Sequence, residues 1–168
     1  REALAPCDAF VTTSPSAREM LLKTMPADAS SRFAVIPHGR DFPSMRQNMN
    51  WPDEDEPIRI LVPGNISVAK GRAVIERLLD RDDPHQRLEF HILGHHNFPS
   101  QRRGLFFHGR YERDDFFNRV CEIAPHVGAV LSIWDETYCH TLTEMWAAGL
   151  PVIGLDYPTV GGRIRKAG

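Results

Sequence analysis

The stretch "IRILVPGNISVAKGRAVIERLLD", Ile58–Asp80, decides the fold. Its first part, "IRILV" (Ile58–Val62), is a short apolar run closed by Pro63 and Gly64, the length and punctuation of a buried strand. After the loop the period changes. Val74 and Leu78, with Ile75 and Leu79 beside them, recur at the spacing of one helical stripe, so the pattern predicts a helix over Lys70–Asp80. A strand that feeds an amphipathic helix through a glycine loop is a βα unit, and repeated units build a parallel sheet.

The unit recurs downstream. "LEFHIL" (Leu88–Leu93), "LFFHG" (Leu105–Gly109), "AVLSIW" (Ala129–Trp134) and "PVIGL" (Pro151–Leu155) read as further buried strands, with helices over Arg113–Ile123 and Thr141–Ala148. The expected class is α/β: a Rossmann-like parallel sheet with helices on both faces. Upstream lies a separate block. It has a strand "AFVTT" (Ala9–Thr13), a helix with Ser14 as N-cap and Pro15 at its first position, and a strand "FAVIP" (Phe33–Pro37). The intervening "HGRDFPSMRQNMNWPDEDEP" (His38–Pro57) is rich in Pro, Asn and acids and reads as an exposed connector. Met20, Leu21, Leu22, Trp134 and Trp146 read as packing residues.

The totals exclude several functions. At 168 residues and 42% hydrophobic the chain can bury one substantial core. A formal charge of −2 gives no broad basic field, so neither nucleic acid nor an anionic membrane is the expected partner, and Arg102–Arg103 reads as a solvated pair. Cys7, Cys121 and Cys139 share no short ligand spacing and are odd in number, which points away from a disulfide framework and toward a reducing cytoplasm. No apolar run approaches the roughly 18 residues that span a bilayer. The opening "REALAPCDAF" lacks an initiator Met and the closing "GGRIRKAG" is helix-like, so the chain reads as a fragment.

Ligands of open α/β sheets bind outside the carboxyl ends of the strands. There the chain places Glu136, directly after the fourth long apolar run, and Glu144, inside the helix that Thr141 is expected to cap and Gly149 to end. Thr141-x-x-Glu144 also fits a capping box, and Glu136 fits a solvated loop acid. The same helix start offers unpaired N–H groups and a positive dipole end, suited to a phosphate, which leaves the carboxylates to accept hydrogen bonds from sugar hydroxyls. A second loop at that edge carries Gly64 and Lys70, without the spacing of a Walker P-loop or a dinucleotide fingerprint. Lys70 is a point charge suited to a diphosphate, or else a solvated lysine at a helix start. His95–His96 and Cys139–His140 would have to converge to bind zinc, and their spacing does not enforce it.

Taken together, "DAFVTTSPSAREMLL", "VIPHGRDF", "GNISVAKG", "LGHHNFP", "FFHGRYERDDFFNRV" and "WDETYCHTLTEMWAAGLPVIGLD" resemble the retaining GT-B glycosyltransferases of the group 1 or family 4 type, from about Asp8 to the end. "ETYCHTLTE" is similar to the subgroup that assembles bacterial surface polysaccharides. The resemblance implies the C-terminal half of a GT-B fold. Residues 1–43 would be the last part of the acceptor domain with the hinge, and residues 44–168 a donor-binding domain cut short at its C-terminus. The substrate would be a nucleotide-diphosphate sugar of the UDP or GDP type. Lys70 would meet the diphosphate, Glu144 the ribose, Glu136 the donor sugar, and N–H groups around Thr141 and Leu142 the phosphates. Gly94 and the loop Gly109–Arg110–Tyr111 would lie near the base. One departure is Asn65, where the family commonly has a basic residue; Arg110 and Arg72 both stand as substitutes.

The activity implied is retaining hexosyl transfer to a saccharide or lipid-linked acceptor held by the missing domain. The positive groups would replace a bridging metal, so no metal or other cofactor is expected. The implied location is cytoplasmic, with the inner face of a membrane open only to the full-length protein. Two alternatives remain: a sugar-nucleotide-binding module without turnover, and a nucleotide-sugar epimerase of similar architecture. A glycoside hydrolase would also use two carboxylates, but it leaves the Lys70 loop without a role.

Overall fold

The computed structural model describes residues 7–39 and 51–167. Five parallel strands form the main sheet: β3 (Ile58–Pro63), β4 (Leu88–Leu93), β5 (Leu105–Phe107), β6 (Val127–Val130) and β7 (Val152–Gly154). They follow a smaller parallel pair, β1 (Phe10–Thr12) and β2 (Phe33–Val35). The α-helices are α1 (Pro15–Leu22), α2 (Arg72–Asp82), α3 (Phe116–Ile123), α4 (His140–Ala147) and α5 (Pro158–Ala167). The main sheet runs β5-β4-β3-β6-β7, so the winding reverses between β3 and β6. The boundary expected between residues 43 and 44 lies outside the described residues.

Strand alternation makes two cores. Ile60 and Val62 of β3 join Phe90, Ile92, Val127 and Ala129 on the side covered by Ile75 and Leu79 of α2. Leu61, between them, joins Leu93 and Val130 on the other side, under Val120 of α3, Leu142 and Met145 of α4 and Val160 of α5. Successive residues of a strand point to opposite faces, so continuous apolar runs are what a sheet covered on both sides needs. Full burial of a residue such as Ile75, which is 0% exposed, contributes roughly 1.5–3 kcal/mol.

Several local expectations shift. The stripe of α2 turns on Ile75 and Leu79, with Val74 and Leu78 packed at its margin. The run "AVLSIW" was expected to be a strand to Trp134, but β6 spans Val127–Val130. Its pairing with β7 ends at Val130 opposite Gly154, and the Ile133 N–H then bonds the Ala69 carbonyl at 2.9 Å, drawing the chain toward the β3–α2 loop. In the upstream block Ser14 does cap α1, accepting from the Ala17 N–H at 3.2 Å. Met20 and Leu21 do not pack as expected: they are 57% and 44% exposed, on a helix with no buried residue.

Candidate functional site

The reversal of strand order between β3 and β6 opens a crevice at their carboxyl ends, where α/β sheets place their ligands. The crevice is about 80 Å³, and Gly64, Asn65, Lys70, Ser132, Glu136 and Thr141 contribute to its lining. Two glycines outside the lining lie against residues of it. Gly94 (φ +139°) lies so close to Gly64 that a Cβ there would collide with the Gly64 carbonyl. Gly71 (φ +94°), the residue before α2, has its α-carbon against the Leu131 carbonyl. Only glycine takes these conformations at so close an approach.

Lys70 and Glu136 form an ion pair across this crevice. The Ser132 hydroxyl also donates to Glu136 Oε1 at 2.6 Å, and the Trp134 indole N–H does so at 3.3 Å. Burial alone would raise the Glu136 pKa. The hydrogen bonds from Lys70, Ser132 and Trp134, with the Lys70 charge, outweigh it and hold the carboxyl below its usual value. Lys70 also lies 5.4 Å from the centre of the Trp134 ring. Trp134 is therefore not the packing residue the sequence implied: it is 53% exposed and belongs to this charged cluster.

The start of α4 differs from expectation. The N-cap is Cys139 rather than the expected Thr141, held left-handed at φ 69° and ψ 82° with no side-chain cap hydrogen bond. The reason lies on α5. Arg163 donates from Nη1 to the Tyr138 and Cys139 carbonyls at 2.6 and 3.0 Å, and from Nη2 to Thr143 Oγ1 at 2.7 Å. Its guanidinium carbon is 4.3 Å from the centre of the Tyr138 ring and 5.2 Å from that of Trp146. The peptides are trans, so fixing these carbonyls toward α5 turns the N–H groups of Cys139 and His140 the opposite way. Burial pushes the Cys139 thiol up, which keeps it protonated at neutral pH.

Glu144 stands one turn into α4, so the Thr141–Glu144 capping box does not form. The residue is 6% exposed, and its carboxylate accepts from the Tyr111 hydroxyl at 3.1 Å, which joins the Gly109–Arg110–Tyr111 loop to α4. Leu142 is fully buried, backbone and side chain alike. Arg110 is exposed. Arg72 is turned to the Asn97 carbonyl at 2.7 Å, so neither arginine lines the crevice beside Asn65. Asn65 Oδ1 is 3.2 Å from His95 Nδ1, and His96 stacks on Phe107 at 3.8 Å between ring centres. Among the described residues, no group of three or more His, Cys, Asp or Glu is placed to hold a metal.

Two residues of the cluster went unread in the sequence. Ser132 carried a signal, a hydroxyl at the end of an apolar strand run. Arg163 carried none, because its partners are mainly backbone carbonyls from a loop far upstream. Wider clefts of about 460 and 470 Å³ lie elsewhere, one near Asp82, Glu89 and Arg102 at the opposite edge of the sheet, the other between α1 and α5.

No family model and no curated protein matches the chain. Solved structures do. HepE of Anabaena in complex with UDP aligns with a TM-score of 0.68 at 13% identity, over 93% of this chain and 47% of its own. The catalytic domain of starch synthase IV from Arabidopsis thaliana, bound to ADP and acarbose, gives 0.64 at 14% identity, over 90% of this chain and 40% of its own. The pneumococcal O-GlcNAc transferase GtfA in complex with UDP and GlcNAc gives 0.61 at 19% identity, over 90% and 30%. The architecture is thus that of GT-B glycosyltransferases, a parallel sheet flanked by helices. The chain spans less than half the length of these structures.

Proposed function

We propose that this chain is the donor-binding part of a retaining hexosyltransferase of the family 4 type, acting on a nucleotide-diphosphate sugar. One observation carries the reading: Lys70, Glu136, the Gly64 loop and Thr141 at the start of α4 converge on a single crevice at the reversal point of the sheet. UDP or ADP and sugars accompany several structures of the same fold, which favours a nucleoside diphosphate as the ligand class. In this reading Lys70 and N–H groups at Thr141 and Leu142 bind the diphosphate. Glu136 holds the donor sugar, and Glu144 accepts from the ribose hydroxyls. Gly94 and Gly109–Tyr111 border the base.

In the transfer, the bond from the anomeric carbon to the phosphate oxygen breaks as the sugar gains oxocarbenium character. The acceptor hydroxyl forms the new bond on the same face and gives its proton to a phosphate oxygen. Negative charge grows on the leaving diphosphate. Lys70 and the oriented N–H groups are placed to stabilise it, a class of interaction where loss of one donor typically costs about 10²–10³ in rate. The same groups do the work of a bridging cation, so the reaction proceeds without a metal. The acceptor, a saccharide or lipid-linked sugar of polysaccharide assembly, binds through the N-terminal acceptor domain of the full-length protein, of which residues 1–43 are the last part with the hinge. Such a protein works in the cytoplasm, at the membrane's inner face where the acceptor is lipid-linked. No helix of the described residues is long and apolar enough to cross a membrane.

A second reading has its own observation. With Arg72 and Arg110 away from the crevice, Asn65 is uncompensated, which favours a module that binds a sugar nucleotide without turnover. Calorimetric titration with UDP, GDP, ADP and their glucose conjugates, with EDTA present, tests both. The donor-site reading expects saturable binding of one nucleotide, weakened at least tenfold by Lys70→Ala and by Glu144→Ala in chains that keep their circular dichroism. Absence of binding by the folded chain contradicts it. Transfer by the full-length protein then separates the enzyme from the binding module.

A further inference from the structure

Resting on the donor-site reading, a further property follows from how the crevice satisfies itself. The group best placed to hold a diphosphate, Lys70, is already paired with Glu136. The pair is shielded from water on the carboxylate side, where the Glu136 side chain is 13% exposed against 34% for Lys70. All three donors, Lys70, Ser132 and Trp134, meet the same oxygen, Oε1. Ser132 and Trp134 precede Glu136 on one short loop, so they hold the carboxylate whether or not Lys70 stays.

A diphosphate entering this crevice meets an anion beside Lys70, the only lysine of its lining among the described residues. Two like charges a few ångströms apart in a partly desolvated site repel, and the ammonium cannot neutralise both fully. We propose that Glu136 is a specificity-determining residue that competes with the diphosphate for Lys70, so that the crevice favours the intact sugar nucleotide over the nucleoside diphosphate left after transfer. When the diphosphate takes Lys70, Glu136 keeps its hydrogen bonds from Ser132 and Trp134 but lacks its cation. Sugar hydroxyls restore its hydrogen bonding. Once the sugar has left, Lys70 returns to Glu136 and the nucleoside diphosphate is released.

The test is calorimetric titration of the 168-residue chain and its Glu136→Gln variant with UDP, GDP and ADP and with their glucose conjugates. Gln keeps the acceptor for Ser132 and Trp134 but removes the charge. The expected result is that the variant binds the bare nucleoside diphosphate about three- to tenfold more tightly, a gain that shrinks with added salt. The advantage of the glucose conjugate over the bare diphosphate narrows, because Gln relieves the repulsion for both ligands and accepts less strongly from the sugar hydroxyls than a carboxylate does. Glu136→Ala, which also removes the anion, moves bare-diphosphate binding in the same direction and serves if the Gln variant does not fold. Unchanged or weaker bare-diphosphate binding by a folded variant, with the wild-type chain binding, overturns the competition and leaves the donor site standing. Failure of the wild-type chain to bind any of the nucleotides overturns the donor site and the competition together.

Discussion

Strand β3 has a charged network at each end, and the two are built differently. At the amino end Arg59 pairs with Glu56, donates from Nε to the Ala124 carbonyl at 2.8 Å, and places Nη2 2.9 Å from His126 Nε2. Its own N–H donates to His126 Nδ1 at 3.0 Å. These contacts pin β3 to the residues that open β6, and His126 is only 4% exposed. At the carboxyl end Lys70 and Glu136 also pair, but on loops, beside left-handed glycines and a helix start, around open space. An ion pair alone therefore does not mark a site. The amino-end network spends its donors inside the fold; the carboxyl-end one surrounds a crevice that a ligand can enter.

The largest effect expected from this contrast is on Lys70. Lys70→Ala should weaken nucleoside diphosphate binding about 10- to 100-fold by calorimetry, the scale of a lost charge-assisted contact. Its melting temperature should fall only slightly, because Ser132 and Trp134 still donate to the Glu136 carboxylate once the ammonium is gone. A large loss of stability would place Lys70 with the structural network instead. Arg163→Ala should weaken the same binding about tenfold, since the Cys139 turn loses the donors that set its carbonyls. Arg163→Lys should recover only part, because an ammonium lacks the planar fork. If both variants bind as the wild type does, the turn keeps its shape without Arg163.

Arg59→Ala is the complementary change. It should cost about 1–2 kcal/mol of stability in denaturant unfolding while leaving nucleotide affinity within a factor of two. An affinity loss comparable to that of Lys70→Ala would join the two ends functionally.

The smallest effect is in pH. His91 on β4 is pushed down to about 4 by burial, with the charges of His108, Arg59 and His126 adding to it. His126 is lowered too, by burial and by Arg59, against the opposing pull of Glu56. Both are neutral in the fold at pH values where the unfolded chain takes up protons. The His91 contribution is present above about 6.5 and is lost as pH falls toward about 4, and that of His126 is lost from the same upper bound downward. Glu136 behaves otherwise: its depressed pKa gives stability present above about 4.5 and lost only below that. The melting temperature should therefore drop between pH 6.5 and 4.5, less so in His91→Gln, while Glu136→Gln retains the wild-type slope. An equal slope in wild type and His91→Gln would remove His91 from the explanation.

What the sequence revealed follows the range of the interactions. The main sheet was legible because runs such as "IRILV" and "LEFHIL" are apolar on both faces and each is closed by a glycine. The position of Glu136 and Lys70 at one edge followed from topology, since both succeed strands that turned out to be neighbours. The start of α4 was misread. Thr141 satisfies the local rule for a cap, but a guanidinium from α5, more than a helical turn away in sequence, sets the backbone at Cys139 instead. Trp134 was misread for a related reason, because its apolar neighbours Leu131 and Ile133 suggest packing while the chain turns its indole N–H to Glu136. Local patterns carry the elements, and contacts between distant segments carry the details of the site.

The claim on which the account rests is that the carboxyl end of β3, not its amino end, receives a nucleoside diphosphate. Amide chemical-shift mapping of the 15N-labelled chain during titration with UDP, GDP and ADP addresses it most directly. Saturable shifts are expected at Gly64, Asn65, Lys70, Thr141 and Leu142 with one of these nucleotides, and none at Arg59 or His126. Shifts concentrated around Asp82, Glu89 and Arg102, or no shift with any nucleotide, would contradict it.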